Sequence, residues 1–191
     1  VSFSANHFLL RCGLGLWLLL TPLLGGLLVM LHDTTLPIGP VAPVQSSDHW
    51  TALHILATQC PCSERILKQL LKRGALTQIR EKVALVDGSA EIAEKIRGRG
   101  FEVECLSPTE LEKRYGQAAA PLLIVHNREG RAVYAGAYSV RPQLPSQDLQ
   151  IFRQLQSGVS VAAMPPQGCA VSSSIQQRID PLGLKYGQWR K

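Results

Sequence analysis

Apolar and polar positions alternate with three different periods along this chain, and each period predicts a different kind of element. From Cys12 to Leu31 twenty consecutive positions carry no charged residue and are dominated by Leu, with Trp17, Val29 and Met30 among them. At about 1.5 Å per residue such a run crosses a hydrocarbon core of about 30 Å, so a transmembrane helix is expected over residues 12–31. Thr21-Pro22 and Gly25-Gly26 lie inside it and are tolerated in membrane helices. Arg11 precedes the run and Asp33 follows it, a charge bias that places the short N-terminal tail in the cytoplasm and the bulk of the chain on the far side. A cleaved signal peptide is the competing reading. The run exceeds the usual apolar core of about 7–15 residues and no small-x-small site follows, which favours a retained anchor.

From 32 to 48 the composition shifts to Pro, Gly, Ser and Thr, with Pro37, Pro40 and Pro43 spaced in threes, as in a semi-extended tether. Residues 51–57 are almost continuously apolar, which predicts a strand covered on both faces, with His54 a core histidine that has a hydrogen-bond partner. Ile66, Leu67, Leu70 and Leu71 then repeat at helical spacing opposite Arg65, Lys68, Lys72 and Arg73, and Gly74 ends that helix. A second buried strand is expected over 83–86, a helix capped by Ser89 through Arg97, a short strand over 101–105 with Cys105 as a small buried hydrophobe, and a helix opened by Ser107-Pro108 and running to Tyr115. The apolar stretch 118–125, the turn Arg128-Glu129-Gly130 and the strand 131–135 read as an antiparallel hairpin whose first strand Pro121 opens. Gln147 to Gln156 supplies a helix with Leu149, Phe152 and Leu155 on one face, and a last short helix is expected from Ser172 to Ile179, ended by Asp180-Pro181. Strands alternating with helices predict an α/β fold with a parallel sheet and crossover helices, completed by the hairpin. The expected organisation is a tail and anchor over 1–31, a tether over 32–48, a folded domain over 49–158 and a C-terminal extension over 159–191.

With 191 residues, 46% hydrophobic and 18% charged, the chain suffices for one ordinary core plus an appendage. The net charge of +6 comes from scattered basic residues with no nucleic-acid motif, which predicts a solvated basic surface and no nucleic-acid partner. The five cysteines, Cys12, Cys60, Cys62, Cys105 and Cys169, lack zinc-finger spacing and are too few for a disulfide-stapled scaffold, so redox chemistry is their expected use.

Cys60-Pro61-Cys62 falls where the first strand hands over to a helix. The unpaired N–H groups and positive dipole end at a helix N-terminus favour a thiolate, the species that attacks a disulfide. A strand, a dicysteine at a helix start, a crossover unit, a proline opening an antiparallel hairpin and a final helix together resemble the thioredoxin fold, over about Trp50 to Gly158. The resemblance implies a central mixed sheet flanked by helices and a cis Pro121 beside the dithiol, with the adjoining backbone at Ala120 pairing with a bound peptide strand. A narrower likeness is to membrane-anchored, RedB-like thioredoxin proteins of bacteria, carried by Cys60-Pro61-Cys62, by Tyr134-Ala135-Gly136-Ala137-Tyr138 and by Pro165-Pro166-Gln167-Gly168-Cys169.

Thioredoxins separate their cysteines by two residues, whereas only Pro61 intervenes here, so a Cys60–Cys62 bond would close a tight, strained and easily reduced ring. By analogy Cys60 is expected to be the more exposed, attacking thiolate, Cys62 to resolve the mixed disulfide, and Arg65 to lie one turn into the helix. Cys169 is expected either as a third redox thiol that folds back onto Cys60 or Cys62, or as a cysteine of a docking tail. The resemblance implies a thiol–disulfide oxidoreductase or isomerase that acts without a bound cofactor on protein thiols and disulfides. With the anchor, it implies a bacterial inner-membrane protein whose folded domain faces the periplasm and meets a redox partner there. Two alternatives stay open: a thioredoxin-fold copper chaperone, for which two thiolates with Cys169 or one of His49, His54 and His126 would serve a soft ion, and a noncatalytic interaction module.

Overall fold

The computed structural model describes residues 3–32, 35–141 and 144–187, without the side chains of 3–10 and 28–32. Pro142, expected in a loop, and the basic end Arg190-Lys191 lie outside the described residues. The chain divides into two units, residues 1–34 and 35–191. The first holds a single helix, α1 (Phe3–His32), with Pro22 inside it. The expected span 12–31 is therefore helical, although its last four positions have no described side chains. Among the described residues no helix is long and apolar enough to cross a membrane.

The second unit is built on a five-stranded mixed sheet. In chain order its elements are β1 (Trp50–Ala57), α2 (Pro61–Arg73), β2 (Ile79–Val86), α3 (Ala90–Arg97), β3 (Glu102–Leu106), α4 (Pro108–Tyr115), β4 (Ala119–Ala120), β5 (Leu122–His126), β6 (Ala132–Gly136), α5 (Asp148–Gln156), β7 (Cys169–Ala170) and α6 (Ser173–Ile179). The strand order is β3-β2-β1-β5-β6, and β4 pairs with β7 in a separate two-stranded ribbon. β1 runs parallel to β2 and β2 to β3, while β5 is antiparallel to both β1 and β6. Side chains of a strand alternate between faces. One face therefore collects Leu53, Ile55, Ala57, Ala84, Val86, Leu122 and Ile124, and the other Ala52, Leu56, Val83, Leu85, Leu123 and Val125. α2, α3 and α5 cover the second face with Ile66, Leu70, Ile96, Ile151, Phe152 and Leu155.

Local signals place most ends where the pattern predicts them. Ser89 accepts a hydrogen bond from the Ile92 N–H, and Ser107 forms a reciprocal capping box with Glu110. Four expectations are corrected. β2 begins at Ile79, four residues before the apolar run, because Glu81 is buried there by charged partners. Cys105 is exposed, since β3 forms the edge of the sheet. Ala119 and Ala120 do not extend β5 but form β4. The tether, finally, is not free from Thr35 onward. Leu36 is buried in the first core, its N–H bonds to the Pro166 carbonyl, Gln117 bonds both N–H and C=O of Gly39, and the Val44 N–H reaches Gly130. Leu36, Ile38 and Val41 interrupt the polar composition of this segment and supply the apolar surface that docks it.

Beneath α2 and α5 lies a buried polar network. His54 is hydrogen-bonded by Nδ1 to the Tyr138 hydroxyl at 2.8 Å and by Nε2 to Glu81 at 3.0 Å, the partner expected for a core histidine. Arg73 binds Glu81 at 2.5 Å and Asp148 at 2.8 Å, tying the end of α2 to β2 and the start of α5. Burial would raise the Glu81 carboxyl, but the hydrogen bonds from His54 and Arg73 outweigh it and hold the group near a pKa of about 2. A depressed carboxyl contributes stability above its ordinary range, and that contribution disappears as pH falls through about 2. Denaturation followed against pH should show the chain losing stability below the ordinary Glu range, with Glu81→Gln flattening that limb. Arg73→Leu should cost about 3–5 kcal/mol at neutral pH, since it removes the buried cation that Glu81 and Asp148 share.

Candidate functional site

The site is assembled where β1 ends and α2 begins. Cys60 is the N-cap of α2 in an extended conformation, and Pro61 follows in the first turn, where its missing N–H costs nothing. The Cys60 N–H bonds back to the Ala57 carbonyl at 3.1 Å, and its own carbonyl accepts from the Glu64 N–H at 3.0 Å, so the first turn is closed directly on the sulfur-bearing residue. Ser63, buried beneath, accepts a hydrogen bond from the Ala57 N–H through its hydroxyl at 3.1 Å. Facing this turn is the Ala120–Pro121 peptide bond, which is cis. The Cys60 sulfur lies 3.7 Å from the Ala120 carbonyl oxygen.

Cys169 completes the group. It is paired in register with Ala120 across the antiparallel β4–β7 ribbon, and both cysteines belong to one buried cluster with Tyr186, with Cys62 packed against it. The four residues singled out from the sequence, Cys60, Cys62, Pro121 and Cys169, thus meet. Their exposures correct the expectation that Cys60 is the more exposed: Cys60 is fully buried, at 0% exposure, and Cys62 is the partly exposed one. β7 covers Cys60, whereas Cys62 opens on a recess of about 20 Å³ with Ile66, Pro121, Tyr138 and Gln167. That recess has room for about one water molecule. Ala120, expected to offer its backbone to a bound peptide, is already paired with the chain's own β7.

The three sulfurs share one charge. Hydrogen bonds from Cys169 and Cys62, opposed by burial and helped by Ser63, lower Cys60 to a pKa of about 3. The hydrogen bond to Cys60, burial and the charge on Cys60 push Cys62 up, against the opposing charges of Arg65 and Lys185. Cys169 is raised for the same reasons, with Lys185 again opposing. Such a group titrates as a unit, holding one thiolate between two thiols that donate to it.

The C-terminal extension, expected to be an appendage, is the third wall. The Val171 N–H bonds Ala118 at 2.8 Å, Gln176 Nε2 bonds the Ala170 carbonyl at 2.9 Å, and the Ala170 N–H bonds the Tyr186 hydroxyl at 2.9 Å. Asp180, buried after α6, accepts from the N–H groups of Leu184, Lys185 and Tyr186, which turns Lys185 back toward Gly168. The carbonyl of Gly168 lies 3.2 Å from Lys185 Nζ. Ser63, Gly168, Asp180, Lys185 and Tyr186 were not singled out for the site from the sequence. Only the place of Gly168 next to Cys169 carried a signal. A Cβ there would stand 2.3 Å from the Ala120 oxygen and 2.8 Å from Pro121 Cδ, so glycine is required for the ribbon to close on the cis proline. Among the described residues no group of three or more His, Cys, Asp or Glu side chains is arranged to hold a metal ion, and His54 and His126 are engaged by Tyr138 with Glu81 and by the Ala42 carbonyl.

A parallel βαβ unit bearing the dicysteine, followed by an antiparallel hairpin opened by a cis proline, decides the fold family. The fold is thioredoxin-like. An uncharacterized conserved protein from Geobacillus kaustophilus is similar, with 17% identity over 73% of this chain and 92% of its own and a TM-score of 0.54. A hypothetical protein from Sinorhizobium meliloti 1021 is similar at 17% identity over 72% of this chain and 95% of its own, with a TM-score of 0.53. A secreted disulfide oxidoreductase from Mycobacterium tuberculosis matches more loosely, at 13% identity over 56% of this chain and 81% of its own and a TM-score of 0.44, a likeness that carries no argument about chemistry. No family model and no curated protein matches the chain.

A depressed thiol keeps its charge, and the stabilisation that charge provides, until pH falls through about 3. Ultraviolet absorbance of the thiolate should therefore persist into acid, and Cys169→Ala, which removes one S–H donor, should raise the midpoint by about one unit or more. Gly168→Ala should destabilise the chain by about 1–3 kcal/mol and shift the same midpoint upward, because the ribbon must open to admit the methyl group.

Proposed function

We propose that this chain is a thiol–disulfide oxidoreductase or isomerase of the thioredoxin type that exchanges disulfides with protein thiols. The observation that carries the reading is the sulfur cluster itself: Cys60, Cys62 and Cys169 are brought together at a helix N-terminus and against a cis proline. A thiolate at that place attacks a disulfide sulfur without help from a bound group. Exposure makes Cys62 the point of contact with a client, since Cys60 is closed off by β7. Cys60 serves as the resolving thiolate, which attacks the Cys62 sulfur of the mixed disulfide, while the proton that Cys62 loses passes to the client sulfur that leaves.

The chain acts outside the cytoplasm, held to the bacterial inner membrane by α1 and facing the periplasm, in the manner of the RedB-like proteins. Support for the anchor comes from the uncharged stretch 12–31 and from the exposure of Leu14, Trp17, Leu19 and Leu23 along α1, whose residues 12–27 carry no charge on any side. Such a helix is stable where its surroundings are apolar too.

In the full chain, Cys60→Ser should accumulate a mixed disulfide with a model peptide disulfide on Cys62, resolvable by mass spectrometry, and Cys62→Ser should slow exchange by about a hundredfold or more. Exchange that persists in Cys62→Ser would refute Cys62 as the contact thiol, and the absence of any exchange in the unmodified chain would refute the activity. Alkaline extraction of membranes from cells making the chain should leave it in the pellet and release a variant lacking residues 1–34; release of both would refute the anchor.

A further inference from the structure

β7 occupies the position that gives it meaning. The backbone edge beside Pro121 runs next to the dithiol, and this chain pairs it with its own residues, Ala119 against Ala170 and Ala120 against Cys169. The residue so delivered is a cysteine, buried at 5% exposure and in the cluster that contains Cys60. The Ala120 carbonyl that meets the Cys60 sulfur at 3.7 Å belongs to the residue paired with Cys169. Everything around β7 holds that placement: Gly168 permits the close approach to Ala120 and Pro121, and Tyr186, Gln176 and Lys185 fasten the backbone of residues 168–170 from behind. Cys62, by contrast, can bond Cys60 only by closing a tight ring with a single residue between the two cysteines, which needs a bent backbone.

We infer that Cys169 is a resident resolving thiol and that the oxidised protein stores its disulfide between Cys60 and Cys169, leaving Cys62 free to meet clients. This deepens the proposed exchange activity and rests on it. Running toward reduction of a client, the Cys62 sulfur attacks the client disulfide, one client sulfur leaves and takes up the proton that Cys62 loses, and a mixed disulfide forms. The Cys60 thiolate then attacks the Cys62 sulfur, the second client sulfur leaves, and a transient Cys60–Cys62 bond forms. Cys169 attacks the Cys60 sulfur, the Cys60–Cys62 bond breaks, Cys60–Cys169 forms, and the proton lost by Cys169 is taken up by the departing Cys62 thiolate. Overall one client disulfide gains two electrons, one proton from the protein and one from solvent, and the Cys60 thiolate with the Cys169 thiol loses the two electrons and the one proton. A partner protein dithiol restores the reduced form through the same steps in reverse order, entering at Cys62. With a client dithiol as donor and a partner disulfide as acceptor, the same relay runs the other way.

The test uses the full chain in detergent, equilibrated with oxidised and reduced glutathione over a range of ratios, quenched by alkylation and digested without reduction. Peptide mapping should find residues 60 and 169 cross-linked and Cys62 alkylated in the main oxidised species. In Cys169→Ser the cross-link should move to Cys60–Cys62, appear only at more oxidising ratios, and be accompanied by a drop in turnover of about tenfold or more with a model peptide disulfide. A main species with Cys60–Cys62 linked and Cys169 alkylated in the unmodified chain would overturn the relay while leaving the exchange activity standing. No disulfide among the three sulfurs at any ratio, together with no turnover, would overturn both. Mapping of the unmodified chain decides the matter even if the variant fails to fold.

Discussion

The pairing of Ala120 with Cys169 is the constraint on which the site depends. A two-residue ribbon is weak on its own, since each hydrogen bond contributes about 0.5–1.5 kcal/mol net, and its ends are free to peel away. It persists because it is enclosed: Leu36 of the docked N-terminal segment, the Ala119–Ala120 pair and Tyr186 all lie in the core that covers one face of the sheet. The N-terminal segment reinforces the same place, bonding Pro166 through Leu36 and bridging Thr35 to Gln167, just before Gly168. The thiols therefore sit at the meeting point of three stretches distant in sequence, each needed to bury the next.

That enclosure has a chemical consequence. An isolated thiol buried among Ala, Leu and Tyr would be raised and inert. Two buried thiols and a third at the edge of the cluster offer one another the hydrogen bonds that the apolar walls do not, which lowers Cys60 and raises Cys62 and Cys169. The opposite sheet face solves the same problem with another set of groups, where His54, Glu81, Arg73, Asp148 and Tyr138 compensate one another and join α2 and α5 to the sheet. Stability is invested in a charged network on one face and reactivity in a sulfur network on the other, with α2 passing between them.

Much of the fold is legible in the residue pattern because local physics decides it. Helix caps at Ser89 and Ser107, the apolar strands of β1 and β5, the hairpin turn before Gly130 and the helix stop at Gly74 each follow from a few neighbouring residues. What escaped was set from a distance: the early start of β2, fixed by the partners of Glu81; the exposure of Cys105, fixed by its edge position; and the docking of residues 35–45, fixed by Leu36 and Gln117 finding surfaces made elsewhere.

For the site, the sequence by itself determined the candidate pair and the proline: thiols at a strand-to-helix junction and a proline opening an apolar strand are local features with direct chemical meaning. It left Cys169 open between partner and bystander and expected Cys60, rather than Cys62, to face solvent. Only the tertiary structure places Cys169 beside Cys60 and leaves Cys62 the more exposed, because burial and neighbourhood are properties of what the chain folds against. The same ribbon that brings Cys169 to Cys60 also covers Cys60, so that a single long-range pairing assigns which sulfur meets the outside and which stays within.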